Sequence, residues 1–253
     1  MPGEDLRPAP AAWKAETARR FDTLAPRWRE FGLPEGEALA ETIAWLGCVP
    51  GALVLDAGCG TGNWSAALAR QGYRMRGIDL APAMIALATE VAREYGLDAD
   101  TAAFQVGDAE NVPLPDTVFD AILCRNALDF TPRPGAALVE FARVLQPGGR
   151  LVLSMLGAHS SVKREWWRRF LPDNDEQHNG NDILPWEMEA LLTELGWTIL
   201  AQESHVGSGR MNSLNPYDLA ALTRLPDPVL RQTVASSWTF IATRPERLAA
   251  SLA

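Results

Sequence analysis

The sequence predicts an α/β domain of the doubly wound kind, a seven-stranded, mostly parallel sheet with helices on both faces. N-terminal cap helices precede it, and it carries a lid insertion. Three observations predict this. From residue 53 onward, short apolar runs alternate with stretches of helical length, the pattern of successive βαβ units. The first apolar run breaks into three glycines within five residues, Gly58, Gly60 and Gly62, and then opens into a helix. Asp56, Asp79 and Asp108 stand at the ends of the first three strands, the edge at which such sheets bind ligands.

The elements follow in order. Residues 1–10 read as a disordered lead, by turns acidic, basic and proline-rich. Residues 11–31 read as an amphipathic helix with Phe21, Leu24, Ala25 and Trp28 at helical spacing, and Pro26 is expected to interrupt it. A second helix runs from about Gly36 to Leu46 and ends before Gly47 and Pro50. These make an N-terminal unit, residues 1–50, ahead of the main domain, residues 51–253. In that domain Leu53–Leu55 is a strand, Gly62–Gln71 a helix, Arg74–Asp79 a strand and Pro82–Tyr95 a helix with a stripe of Met84, Ile85, Ala88 and Val91. Strands at Ala102–Val106 and Phe119–Arg125, a helix at Pro134–Val144 and a strand at Gly149–Met155 continue the alternation. A helix at Pro185–Leu195 and strands at Thr198–Ser204 and Ser236–Thr243 complete it. The last two strands have a long excursion between them, so one is expected to run antiparallel in the edge region. Residues 156–184 and 206–230 do not fit the alternation and read as lid or acceptor segments. The first is rich in aromatic rings, Trp166, Trp167 and Phe170, with Trp186 just beyond it. They read either as the wall of an acceptor pocket or as a lid burying its own apolar face.

Composition narrows the partners. In 253 residues with 47% hydrophobic content the net charge is −9, which argues against nucleic acid read through its phosphates. The cysteines Cys48, Cys59 and Cys124 show neither metal-ligand spacing nor a disulfide framework. No apolar stretch reaches membrane-spanning length, and the first ten residues lack the apolar centre of a signal peptide. The cytoplasm and a small-molecule partner are the expectations.

The glycine turn brings backbone close to whatever binds there. The amides around Gly58 and Gly60 and the helix N-terminus that follows can line a pocket, or the glycines form a structural tight turn, while Asp56 disfavours a pyrophosphate and favours an ammonium group or hydrogen-bond donors. The spacing G-x-G-x-G also departs from the dinucleotide pattern, which argues against a dinucleotide oxidoreductase. Asp79, 17 residues beyond Gly62, can accept ribose hydroxyls, cap the following helix, or both. Asp108 can accept from an adenine amino group or form a turn.

Four runs, VLDAGCGTGNWS, GIDLAPAMI, GDAENVPLPDTVFDAILCRNAL and ARVLQPGGRLVLS, together resemble the class I S-adenosylmethionine-dependent methyltransferases. The resemblance is to the small-molecule branch that includes ubiquinone and menaquinone methyltransferases, whose fold is Rossmann-like. It covers about Phe21 to Met155, and residues 238–245 resemble the family's final strand. It implies S-adenosyl-L-methionine as cofactor, with S-adenosyl-L-homocysteine as product. Asp56 then lies by the methionine amino end, Gly58, Cys59 and Gly60 by the methionine and ribose, and Asp79 on the ribose hydroxyls. Leu80 and Met84 pack near adenine or ribose, Asp108 and Ala109 sit at the adenine amino group, and Arg125 and Asn126 meet the methionine moiety. Residues 21–28 resemble the pattern Tyr-Asp-x-x-Ala-x-x-Tyr of a covering helix. Phe21 and Trp28 stand where the tyrosines would, either against the cofactor or in the core, so the holder of the methionine carboxylate is open.

For catalysis Asp129 and His159 are the candidate bases, each also readable as a solvated loop residue. The implied function is methyl transfer to oxygen, nitrogen or carbon of a small organic molecule by in-line displacement. A tRNA-base methyltransferase of the same family and a non-catalytic S-adenosylmethionine-binding module are the alternatives.

Overall fold

The computed structural model describes residues 9–157, 180–181, 183–205 and 237–246. Two helices, α1 (Pro10–Arg29) and α2 (Gly36–Leu46), precede β1 (Leu53–Ala57). Then come α3 (Asn63–Arg70), β2 (Arg74–Asp79), α4 (Pro82–Glu94), β3 (Ala102–Val106), β4 (Phe119–Arg125) and a 3₁₀ turn, Leu128–Phe130. Next are α5 (Pro134–Val144), β5 (Leu145–Leu156), α6 (Pro185–Glu194), β6 (Thr198–His205) and β7 (Ser237–Thr243). The sheet order is β3-β2-β1-β4-β5-β7-β6. The strands β1 to β5 pair in parallel, and β7 runs antiparallel to both β5 and β6. The expected antiparallel strand is therefore β7, one position in from the β6 edge.

Sheet order reverses between β1 and β4. The turns leaving those two strands go opposite ways, which opens a crevice at their carboxyl ends. Alternation along the central strands feeds two cores. Leu55, Ile122, Cys124 and Leu153 face α5 and α6 with Phe141, Trp238 and Phe240, while Val54, Leu123 and Val152 face the other side with Leu68, Met75 and Leu46. Both sheet faces are thus covered, and the carboxyl edge is left for chemistry.

Helix α1 runs unbroken through Pro26, against the expected interruption. Pro26 stands in the last turn with its ring exposed, so the helix loses one backbone hydrogen bond and has no further turn to disrupt. Strand β5 starts at Leu145, earlier than its apolar run, because Leu145 pairs with Phe119 ahead of a register shift.

Candidate functional site

Strand β1 carries Asp56 to the crevice with 2% of its surface exposed. The Ser65 hydroxyl at the start of α3 donates to its Oδ2 at 2.7 Å. Burial pushes the Asp56 carboxyl up to about 6; the Ser65 bond and the Arg125 charge oppose this, and the Asp79 charge adds to it. At Gly58, φ is +79°, and a Cβ would lie 2.3 Å from Cβ of Ala127 in the turn after β4. Only glycine fits there, on both counts.

The turn does not offer its amides as the sequence implied. The N–H groups of Gly58 and Cys59 donate to the Ile78 carbonyl at 2.8 and 3.0 Å, and that of Gly60 donates to Asp79 Oδ2 at 2.9 Å. These donors stitch the β1 turn to the end of β2. The open side lies above Gly60, where a side chain would meet nothing within 4 Å. Cys59 is buried, and its Sγ fills the notch left by Gly77, 2.9 Å from where a Cβ on that glycine would stand. Its thiol is a packing group, pushed up by burial.

Asp79 also accepts from the Ala81 N–H through Oδ1 at 2.9 Å. The helix cap position belongs to Ala81, so Asp79 braces the turn before α4 and retains lone pairs for a ligand. Burial raises its pKa against the pull of those amides. Leu80 and Ala109 are half-buried beside the strand ends, while Met84 packs with Ala81 and with Ala25 of α1. Asp108 forms the expected turn, its Oδ1 accepting from the Glu110 N–H at 2.8 Å. Its Oδ2 holds Lys14 Nζ of α1 at 2.7 Å, and the same ammonium lies 2.7 Å from Glu110 Oε2. Arg133 also binds the buried Glu110 carboxylate, at 2.8 Å from the same Oε2.

At the end of β4 the Arg125 guanidinium lies 4.0 Å from the Trp64 ring centroid and forms no ion pair among the described residues. Burial lowers its pKa to about 10, with the Asp56 charge opposing. Asn126 follows in the left-handed region, φ +52°, and its N–H donates to Ser154 O at 2.8 Å. Its side-chain Oδ1 is buried without a hydrogen-bond partner among the described residues. Asp129, readable from sequence as solvated, is 1% exposed. Its Oδ2 accepts from the Leu156 N–H at 3.1 Å, and its carbonyl accepts from the Asn181 N–H at 2.8 Å, so it ties the β4 turn to the end of β5.

Helix α1 lies across this edge. Trp13 Nε1 donates to Phe130 O at 3.0 Å, the Phe21 ring meets the Phe130 ring edge-on at 5.0 Å, and Asp22 Oδ1 accepts from the Ala83 N–H at 2.8 Å. Trp28 is not brought to the site. It is 41% exposed against Phe31, and its neighbour Arg29 bonds Glu90 and Glu94 near the far end of α4. Phe21 and Trp13, not Trp28, are the aromatic residues that α1 lays over the crevice. His159, His178, Trp166, Trp167 and Phe170 lie outside the described residues. Trp186 opens α6 and is half-exposed. The sequence reading missed Lys14, Thr17, Trp64, Glu110 and Arg133. Trp13 and Thr17 continue the stripe of Phe21 and Ala25 one and two turns earlier, a signal present in the spacing.

The arrangement suits a zwitterionic nucleoside. Three acids and Asn126 Oδ1 can accept from amino and hydroxyl groups, and Arg125, in no ion pair among the described residues, can attract a carboxylate. Comparison with known proteins bears on the family. A family model described as a methyltransferase domain matches residues 55–153. The ubiquinone biosynthesis O-methyltransferase of Xanthomonas oryzae pv. oryzae (strain PXO99A) is 34% identical over 202 residues, 74% of this chain and 82% of that protein. That of Xylella fastidiosa (strain 9a5c) is 39% identical over 154 residues, 58% and 61% of the two chains. Among solved structures, magnesium protoporphyrin IX methyltransferase from Synechocystis PCC 6803, with bound S-adenosylhomocysteine, superposes with a TM-score of 0.65 at 20% identity, over 91% of this chain and 99% of that one. The [4+2]-cyclase SpnF superposes with a TM-score of 0.66 at 22% identity, over 90% and 95%.

Proposed function

This chain belongs to the class I S-adenosylmethionine-dependent methyltransferases, and from that premise we propose that it methylates a small organic molecule. The observation that carries the proposal is the donor and acceptor balance at the strand ends. On this reading Asp56 and Asn126 Oδ1 accept from the ammonium of the methionine end, Asp79 from the ribose hydroxyls and Asp108 from the adenine amino group. Arg125, 4.0 Å from the Trp64 ring centroid and in no ion pair among the described residues, takes the methionine carboxylate that the absent tyrosine hydroxyls leave without a donor. When bound, the cofactor supplies a methyl group on a positively charged sulfur, already a good leaving group. The chain's task is therefore to orient, to hold the acceptor in line and to exclude water. Helix α1 contributes by covering the crevice with Phe21 and Trp13. Asp129 serves this reading as a brace of the β4 turn, its Oδ2 given to the Leu156 N–H.

Small-molecule transfer is supported by the ubiquinone-pathway relatives, which make oxygen the first acceptor atom to test, and by the net charge of −9. A [4+2]-cyclase shares the fold, so fold alone does not decide the reaction. The test is turnover with methyl-labelled S-adenosylmethionine on two pools, a small-molecule extract and bulk tRNA. Label in the small-molecule pool, with matching S-adenosylhomocysteine, is the expected result. Label in tRNA points to the macromolecular alternative. Cofactor binding with label in neither pool points to a binding module or a cyclase-like activity.

A further inference from the structure

Helix α1 carries one polar group that the cap does not explain. Thr17 is 5% exposed, and its Oγ1 has no hydrogen-bond partner among the described residues. Four other helical threonines show the usual local solution. Thr23, Thr42, Thr89 and Thr193 each donate to the carbonyl four residues earlier, at 2.8 to 3.1 Å. Thr17 does not make this bond to the Trp13 carbonyl, which leaves its hydroxyl available to another acceptor or donor. Its place on the helix shows where it faces. One turn before it, Trp13 is bonded to Phe130 O, and one turn after it, Phe21 lies against the Phe130 ring. Lys14 beside them reaches Asp108, and Asp22 holds the start of α4. Thr17 therefore stands mid-span on the buried face of a helix anchored to the ends of β2, β3 and β4. A hydroxyl buried without a partner costs free energy in the ligand-free protein, and the crevice beneath α1 is where a partner would arrive.

We propose that Thr17 is a ligand contact of the cap: its hydroxyl hydrogen-bonds a polar atom of the bound S-adenosyl nucleoside and so couples closure of α1 to occupancy. The proposal rests on the cofactor reading above. Two ends of that ligand offer the same chemistry, the nucleoside and the amino-acid carboxylate, and the test separates them.

The full chain is titrated calorimetrically with S-adenosylhomocysteine and with adenosine, as wild type, Thr17→Val and Thr17→Ser, and thermal unfolding is recorded without ligand. Valine keeps the shape and removes the hydroxyl. Thr17→Val is expected to bind S-adenosylhomocysteine about tenfold more weakly, while its ligand-free melting temperature equals or exceeds that of wild type. Thr17→Ser, which keeps the hydroxyl, restores affinity. An equal loss for adenosine assigns the contact to the nucleoside, and a loss confined to S-adenosylhomocysteine assigns it to the amino-acid end. Unchanged binding by Thr17→Val overturns the proposal, as does a lowered ligand-free melting temperature, which marks the hydroxyl as structural. If wild type binds neither ligand, the cofactor reading itself fails.

Discussion

The floor and the cap of the crevice are built on opposite plans. In the floor, the Asp56 and Asp79 carboxylates and the amides of the glycine turn are bonded to the fold before any ligand arrives, while the β4 end keeps Asn126 Oδ1 without a hydrogen-bond partner among the described residues. Asp79 takes two amides, Asp56 takes the Ser65 hydroxyl, and three amides of the glycine turn point back into β2. The cap is held by Trp13 and Phe21 on Phe130, by Asp22 on the start of α4, by Lys14 on Asp108 and Glu110 and by Arg29 on α4, yet its buried face keeps a hydroxyl without a partner among the described residues. The difference teaches a division of labour. A floor with its carboxylates already oriented recognises the cofactor at little cost in ordering, whereas a cap with an unmet hydrogen bond is more stable closed over ligand than closed alone.

The floor is the place to break this comparison hardest. Gly58→Val drives a Cβ into Ala127 at a backbone angle only glycine adopts readily. It is expected to abolish detectable S-adenosylhomocysteine binding and to lower stability by about 2–4 kcal/mol, read by calorimetry and thermal unfolding. Asp79→Asn comes next. One carboxylate oxygen becomes an NH₂ group facing a backbone N–H, either that of Gly60 or that of Ala81. A loss of about 2 kcal/mol, roughly thirtyfold in affinity, is expected, with only a small change in the affinity of Thr17→Ser as the cap-side contrast.

Acidity sharpens the same point. Burial raises the folded pKa of Asp56 to about 6, above its unfolded value. Its contribution to ligand-free stability is therefore complete below about pH 4 and is lost as the pH rises through about 6. A ligand ammonium favours the ionised form, so affinity runs the other way. S-adenosylhomocysteine should bind several-fold more tightly at pH 7.5 than at pH 5, and Asp56→Asn should flatten that dependence. The smallest effect belongs to the cap's flank. Lys14→Met leaves Glu110 its Arg133 partner, so the expected cost is about 1 kcal/mol in stability. Faster release of S-adenosylhomocysteine in stopped-flow and a smaller mutant-to-wild-type gap in high salt should accompany it.

Much of the floor was legible in the sequence because it is written locally. Strand, glycine turn and aspartate follow one another within a few residues, and all three aspartates lie at the crevice edge. What they bond to was not legible. The amides of Gly58, Cys59 and Gly60 turn inward because β2 pairs beside β1, a fact of sheet order. Cys59 fills a notch that exists only because Gly77 stands opposite. The cap was harder to read, since which face of α1 meets the crevice depends on how the helix docks. Its pattern put Phe21 and Trp28 on equal terms, and the ion pairs of Arg29 with α4 carry Trp28 away. The Lys14 contact with Asp108 spans 94 residues, beyond any local signal, and burial of Asp129 follows from its bond to the end of β5.

The most direct test of the acid-lined, preorganised cofactor floor is a calorimetric titration of the wild-type chain with S-adenosylhomocysteine at pH 7.5 and pH 5. One equivalent bound, more tightly at pH 7.5, is the predicted result. No binding at either pH, or tighter binding at pH 5, would contradict it.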